Sequence, residues 1–240
     1  MTARMLARRQ LEPELMDDPS LPAAEHDAAL DGLARLNGWS RADRPFRDRI
    51  EALIEEETGE ISILDLAAGS GDLVARLAPW LAAKGRTIRW VVADISEHAL
   101  SRCEARARSL GLSLETRRVD ALQEELPAVD IAINSLFLHH LTDRDATTVL
   151  RNLARCARLG GVICDLRRSG TGWVLAGAAS RLATRSHVVH FDAVASVRAA
   201  FTVEEMRRLV AEAGIEAAEV EHAFPQRMRI SWRTVEAGSR

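Results

Sequence analysis

The residues best suited to chemistry fall into two groups, and the first is a glycine turn. The run Ile63-Leu64-Asp65-Leu66-Ala67-Ala68-Gly69-Ser70-Gly71-Asp72-Leu73 places an acid ahead of small residues at alternate positions, Ala67, Gly69 and Gly71. A strand feeding such a turn and then a helix carries bare backbone up to a ligand at the helix N-terminus. The spacing is not G-x-G-x-x-G, which weakens a dinucleotide reading. Asp94 follows 23 residues after Gly71. At the end of the next strand, an acid can accept hydrogen bonds from both ribose hydroxyls of a nucleoside and repel a 2′-phosphate.

The second group is rich in histidine. In an open parallel sheet, ligands sit beyond the carboxyl ends of the strands. Asn134, Ser135, His139 and His140 follow the fourth strand, and Asp165, Arg167 and Arg168 follow the fifth. His139 and His140 are the candidate catalytic residues, because an imidazole near neutral pH suits general-base work. His139 is the first choice, with His140 packed beneath it. Arg167, His187 and His190 are candidate substrate contacts. No metal is expected: adjacent helical residues point about 100° apart, and His187, His190 and Asp192 lack a supporting second shell. The absence of G-x-S-x-G argues against a serine hydrolase.

The elements that must hold these groups alternate regularly. Short apolar runs at 61–67, 88–93, 114–119, 129–134 and 162–166 read as buried strands, separated by helical stretches. One of those helices is capped by Ser96, another is bent by Pro79, and a third runs from about 143 to 159 and leads through Gly160-Gly161 into the strand at 162–166. Thr202-Val203-Glu204-Glu205 is a capping box. The runs 217–222 and 228–233, joined by only Ala223-Phe224-Pro225-Gln226, must form a hairpin. The expected fold is α/β, a doubly wound seven-stranded and mostly parallel sheet with the last strand antiparallel. Two helices, 24–36 and 45–57, precede it after an extended lead-in at 11–22. The segment 167–201 is an insertion long enough for a helix and a loop. With Trp173, Val174, Leu175, Leu182, Val188, Val189 and Phe191, it is apolar enough to form a lid over an apolar substrate. The expected division is an N-terminal helical lead-in at 1–58 and a ligand-binding domain at 59–240, with the lid at about 167–201.

The Asp65, Ala67, Gly69, Gly71 pattern resembles the first motif of class I S-adenosylmethionine (SAM) methyltransferases, with Ala67 in place of the usual glycine. The resemblance covers 61–233. It implies their Rossmann-like fold and SAM as cofactor, held by Asp65, Ala67, Gly69, Gly71, Asp94 and Asn134. It also implies Ile95 over the adenine face and Asp120 and Ala121 at the adenine amino edge. The stretch 64–73 looks closest to ubiquinone/menaquinone-pathway C-methyltransferases, as does the approach through Asn37, Ser40 and Arg47. Those enzymes carry a Phe-Gly-x-Arg-Asn type signature after strand four, where this chain has Leu136-Phe137-Leu138-His139-His140. The implied function is methyl transfer to a small aromatic or polyketide-like acceptor of secondary metabolism, with O-methylation ahead of C-methylation of a quinol-like ring. A SAM-fold protein that binds cofactor without transfer, as a cyclase or regulatory subunit, is the alternative from another class.

Composition sets the outer limits. The 240 residues are 47% hydrophobic with a net charge of −3, enough for one α/β core and too weakly charged to attract nucleic acid or an anionic membrane in bulk. No run of about 18 apolar residues offers a membrane span. Cys103, Cys156 and Cys164 form no CxxC pair, and the first ten residues lack an apolar signal core, so a reduced, cytoplasmic setting is expected. There is no tyrosine, which excludes a tyrosine base, and Lys84 is the single lysine available for a Schiff base. The expected partner is a small-molecule substrate, without nucleic acid, and a homodimer is permitted.

Overall fold

The computed structural model describes residues 6–18 and 20–234. Seven strands form one sheet: β1 (Glu60–Leu66), β2 (Thr87–Asp94), β3 (Leu114–Arg118), β4 (Val129–Ser135), β5 (Ala157–Leu166), β6 (Glu219–Ala223) and β7 (Arg227–Arg233). Their order is β3-β2-β1-β4-β5-β7-β6. β7 runs antiparallel to both β5 and β6, while the first five strands pair in parallel. This is the sheet expected from the alternation of apolar runs and the short terminal hairpin. Chain order reverses between β1 and β4, so the crossovers on either side diverge and leave a crevice above that pair.

Alternate residues of a strand face opposite sides, and each side of the sheet carries its own core. Leu64 and Leu66 pack on one face with Val91, Ile163 and Leu150. Ile63 packs on the other with Val92, Ile131, Ile133 and Leu77. Helices α1 (Ala23–Trp39), α2 (Arg44–Leu53), α3 (Asp72–Ala83), α4 (Glu97–Ser109), α5 (Asp143–Cys156), α6 (Gly170–Ala183), α7 (His187–Ala199) and α8 (Val203–Glu212) complete the layers. Local sequence explains several of their ends. The Ser96 hydroxyl accepts from Ala99 N–H at α4, and Thr202 and Glu205 form the reciprocal capping box at α8. Pro79 sits inside α3.

Three expectations are corrected. The Gly160-Gly161 pair lies within β5, whose preceding helix already ends at Cys156. A Cβ on Gly161 would stand 2.3 Å from the Trp232 ring and 2.6 Å from the Ala132 carbonyl, and one on Gly160 would stand 2.1 Å from the Trp232 carbonyl. The glycines therefore permit close approach between strands and do not turn the chain. The second N-terminal helix stops at Leu53. The segment 167–201 forms two helices, α6 and α7, in place of a helix and a loop.

α1 joins α6 and α7 on one side of the crevice, with Arg35 Nε donating to the Ala183 carbonyl at 2.9 Å. The preceding segment is strapped over the same region. Leu15 and Met16 N–H donate to the Asp192 carboxylate at 2.8 and 3.1 Å, and the Arg9 guanidinium lies 3.6 Å over the Phe201 ring. Among the described residues, no helix is long and apolar enough to cross a membrane.

Candidate functional site

The crevice opens into a cavity of about 1000 Å³, at the upper end of the range for ligand pockets. Its first half is the glycine turn. Gly69 has φ +54°, and a Cβ there would meet nothing within 4 Å among the described residues, so its bare backbone borders open space. Gly69 N–H donates to Asp94 Oδ2 and Ser96 N–H to Asp94 Oδ1, each at 2.9 Å. Two backbone donors thus fix the carboxylate at the end of β2, where Asp94 lines the cavity with Ile95, Asp120 and Ala121. Ala67 also lines it, at φ +52°, a left-handed conformation costing an L-residue about 1–2 kcal/mol.

Asp65 lies beneath the turn, with its Oδ2 buried and lacking any hydrogen-bond partner among the described residues. Burial, reinforced by the negative charges of Asp94 and Asp72, pushes its carboxyl up to about 8. An orphaned buried carboxylate oxygen beside an open glycine cradle and a fixed ribose-binding acid suits a nucleoside that also carries an ammonium group, and SAM has both. The residues present fit that cofactor. Two expected contacts stand outside the cavity lining. A Cβ on Gly71 would lie 2.5 Å from Cys103 Sγ, so Gly71 serves the packing of α3 against α4. Asn134 is fully buried and its Nδ2 donates to the Leu66 carbonyl at 2.7 Å, tying β4 to β1.

The second half of the cavity meets the ends of β4 and β5. A 3₁₀ turn, Leu138–His140, presents both histidines to it. His139 Nδ1 stands 2.6 Å from Asp165 Oδ1, and its backbone N–H donates to Asp165 Oδ2 at 3.1 Å. Its Nε2 lies 3.7 Å from Glu14 Oε1 on the N-terminal strap. Burial pulls the imidazole pKa down, but the charge and hydrogen bond of Asp165, with Glu14 beyond, outweigh it and push His139 up to about 10. Burial raises the Asp165 carboxyl in turn, and the His139 charge outweighs this and holds it low. His140 Nδ1 lies 4.0 Å from the same Glu14 oxygen. Glu14, His139 and His140 bring their ligand atoms within 4.8 Å of one another, closer than divergence along a helix suggested. A divalent cation could be held there, although a proton on His139 between two carboxylates already satisfies the group.

The remaining expected substrate contacts lie elsewhere. Arg167 turns away to donate to Gln226 Oε1 at 2.5 Å. His187 is exposed and paired with Glu25 at 3.7 Å, and His190 Nε2 meets the Thr184 carbonyl at 2.8 Å. None of the three lines the cavity. In their place α1, α6 and α7 contribute an apolar wall that includes Leu30, Leu33, Leu175, Ala176, Val189 and Ala193. Among the polar residues of the cavity that escaped sequence reasoning are Glu14 and Arg227. Glu14 sits in a lead-in with no periodicity to reveal it. Arg227 is a charge at the start of a strand, a position that carries no local signal.

Fold and cleft together define the class I SAM-dependent methyltransferase fold. Residues 63–161 match the family model for a methyltransferase domain. The ubiquinone/menaquinone biosynthesis C-methyltransferase UbiE of Escherichia coli K12 is 33% identical over 112 residues, covering 45% of this chain and 43% of that enzyme. The chain thus matches less than half the length of this relative. An O-methyltransferase family 2 protein from Planctomyces limnophilus, solved with apigenin, superposes at a TM-score of 0.61 with 18% identity, over 90% of this chain and 63% of that one. Magnesium protoporphyrin IX methyltransferase from Synechocystis, solved with S-adenosylhomocysteine, gives 0.53 with 13% identity over 91% and 90%. At such identities these two structures speak for the fold alone.

Proposed function

We propose that this protein transfers the methyl group of SAM to a hydroxyl of a small, largely apolar aromatic molecule in the cytoplasm, without a nucleic-acid partner. The observation that carries this reading is the division of one cavity between a nucleoside-shaped half at Gly69 and Asp94 and a half where His139 faces an apolar wall. SAM supplies an electrophilic methyl on a sulfonium. The chain's own part is to align and dry the acceptor and to manage its proton.

His139 performs that second task. A phenol resembles tyrosine, with pKa about 10, and His139 is pushed up to about 10 by its two carboxylates. The pair can therefore share one proton at little cost, with neutral phenol against imidazole or phenolate against imidazolium. Asp165 fixes the ring through Nδ1, so the acceptor hydroxyl would meet Nε2 on the side it shares with Glu14, 3.7 Å away. Methyl transfer from labelled SAM to a panel of phenols and quinols tests the proposal. Failure of the protein to bind S-adenosylhomocysteine in a titration would sink it. C-methylation of a quinol-like ring is the second reading, supported by the sequence match to UbiE. The mass and position of the added methyl separate the two.

A further inference from the structure

Arg227 is 5% exposed, stands at the start of β7 and lines the cavity. Its Nη2 donates to Ser40 Oγ at 3.0 Å and to Asn37 Oδ1 at 3.4 Å, both uncharged. Its Nη1 is buried and has no hydrogen-bond partner among the described residues, and no described carboxylate pairs with it. A guanidinium withdrawn from water with a donor unused is costly, and native cores rarely tolerate it without a compensating partner. The buried charges beside it are paired, Asp165 with His139 and Arg168 with Glu205.

We propose that Arg227 is the receptor for a carboxylate entering this cavity, with Asn37 and Ser40 holding its fork in place. Planar two-pronged recognition of a carboxylate is what arginine does best. Strand order favours the acceptor as its source. Neighbouring strands lie about 4.8 Å apart, so β7, three places from β1, is roughly 14 Å from the glycine turn. It is beside β5, where Arg227 pairs in register with Leu166, one residue beyond Asp165. The acceptor would then be an aromatic hydroxy acid, its hydroxyl toward His139 and its acid toward Arg227. The amino-acid carboxylate of SAM is the other source of the same chemistry. This assignment rests on the reading of the cavity as a cofactor and acceptor site.

The test uses the full chain and four probes in calorimetry. S-adenosylhomocysteine and 5′-methylthioadenosine share a nucleoside, and only the first has a carboxylate. 4-Hydroxybenzoate and 4-methylphenol, added to the complex with S-adenosylhomocysteine, differ chiefly by the acid. Arg227→Gln should weaken 4-hydroxybenzoate by on the order of tenfold or more while 4-methylphenol and both nucleosides stay within twofold. Arg227→Lys, which keeps the charge and loses the fork, should fall between, and it serves as the probe if the glutamine variant does not fold. A loss confined to S-adenosylhomocysteine, with 5′-methylthioadenosine unaffected, upholds the carboxylate receptor and assigns it to the cofactor. Unchanged affinity for both carboxylate-bearing probes, or a parent that does not distinguish 4-hydroxybenzoate from 4-methylphenol and a variant that binds S-adenosylhomocysteine normally, overturns it. A parent that binds neither nucleoside defeats the cofactor reading instead, and the two phenols, titrated into the protein alone, then report on Arg227.

Discussion

Arg168 and Arg227 are both buried, at 7% and 5% exposure, and the fold treats them in opposite ways. Arg168 is saturated. Its two terminal nitrogens reach Glu205 Oε2 and Oε1 at 2.9 and 2.6 Å, Nη1 also donates to the Ala200 carbonyl at 2.7 Å, and Nε to the Leu6 carbonyl at 3.0 Å. Through it the exit of β5, the capping box of α8 and the N-terminal strap are joined. Arg227 lines a cavity, with two neutral partners and a buried donor that has none among the described residues. The same contrast separates Asp165, fully engaged with His139, from Asp65, whose Oδ2 is orphaned. Satisfied buried charge holds a protein together, whereas unsatisfied charge beside a cavity marks where a ligand completes it.

The largest expected effect tests the satisfied network at its catalytic end. His139→Gln should lower kcat by about 10²–10⁴-fold while affinity for SAM stays within twofold in a titration. In the parent, kcat/KM should climb with pH through neutrality and level off only toward pH 10, because His139 and the phenol must together lose one proton. Asp165→Asn removes the strongest support for the imidazolium, so the inflection should move to lower pH. A parent profile flat between pH 6 and 9 would remove His139 from proton handling. The sign for stability follows from the same shifts. The raised His139 pKa contributes stability that is full below about 6.5 and fades as pH rises through about 10. The lowered Asp165 pKa contributes above the ordinary aspartate value and fades as pH falls.

Arg168→Met should come next, costing about 3 kcal/mol in urea denaturation, near the lower end for a broken buried pair because Glu205 keeps some solvent contact. The Glu205 carboxyl is raised by burial and brought below its usual value by Arg168. The parent should therefore lose this contribution as pH falls through the carboxylate range, and the variant should show little of that acid dependence. Cofactor affinity per folded molecule should be unchanged.

The two glycines of the turn divide function from packing. Gly69→Val should abolish SAM binding with modest loss of stability, since its side chain enters open cavity at a positive φ. Gly71→Ala should instead lower the melting temperature, because the new methyl meets Cys103. Asp94→Ala should weaken SAM by on the order of tenfold. The smallest effect is the most discriminating for the comparison. Without ligand, Arg227→Gln should leave the melting temperature unchanged or slightly raised, because an underpaired buried charge is removed. A loss as large as that of Arg168→Met would place Arg227 among the structural arginines.

The cofactor half was legible because it is local. A strand, a turn at Gly69 and an acid at Asp94 lie within one βαβ unit, and period-two burial with glycine chemistry is written into neighbouring residues. The seven strands and their mostly parallel winding were legible for the same reason, as was the reversed β7, which a four-residue link compels. Gly160 and Gly161 misled because a glycine's meaning depends on what lies opposite it. Only the folded sheet brings Trp232 there.

Local pattern thus determined the nucleotide turn, the sheet and the histidines at the end of β4. The tertiary structure alone decided that Asp165 and Glu14 enclose His139, that His187, His190 and Arg167 stay outside the cavity, and that Arg227 enters it. These are contacts between residues separated by 26 to 190 positions. No periodicity in the chain encodes them, because they depend on how helices and a strap pack across a sheet, and that packing is settled by the collective burial of apolar surface.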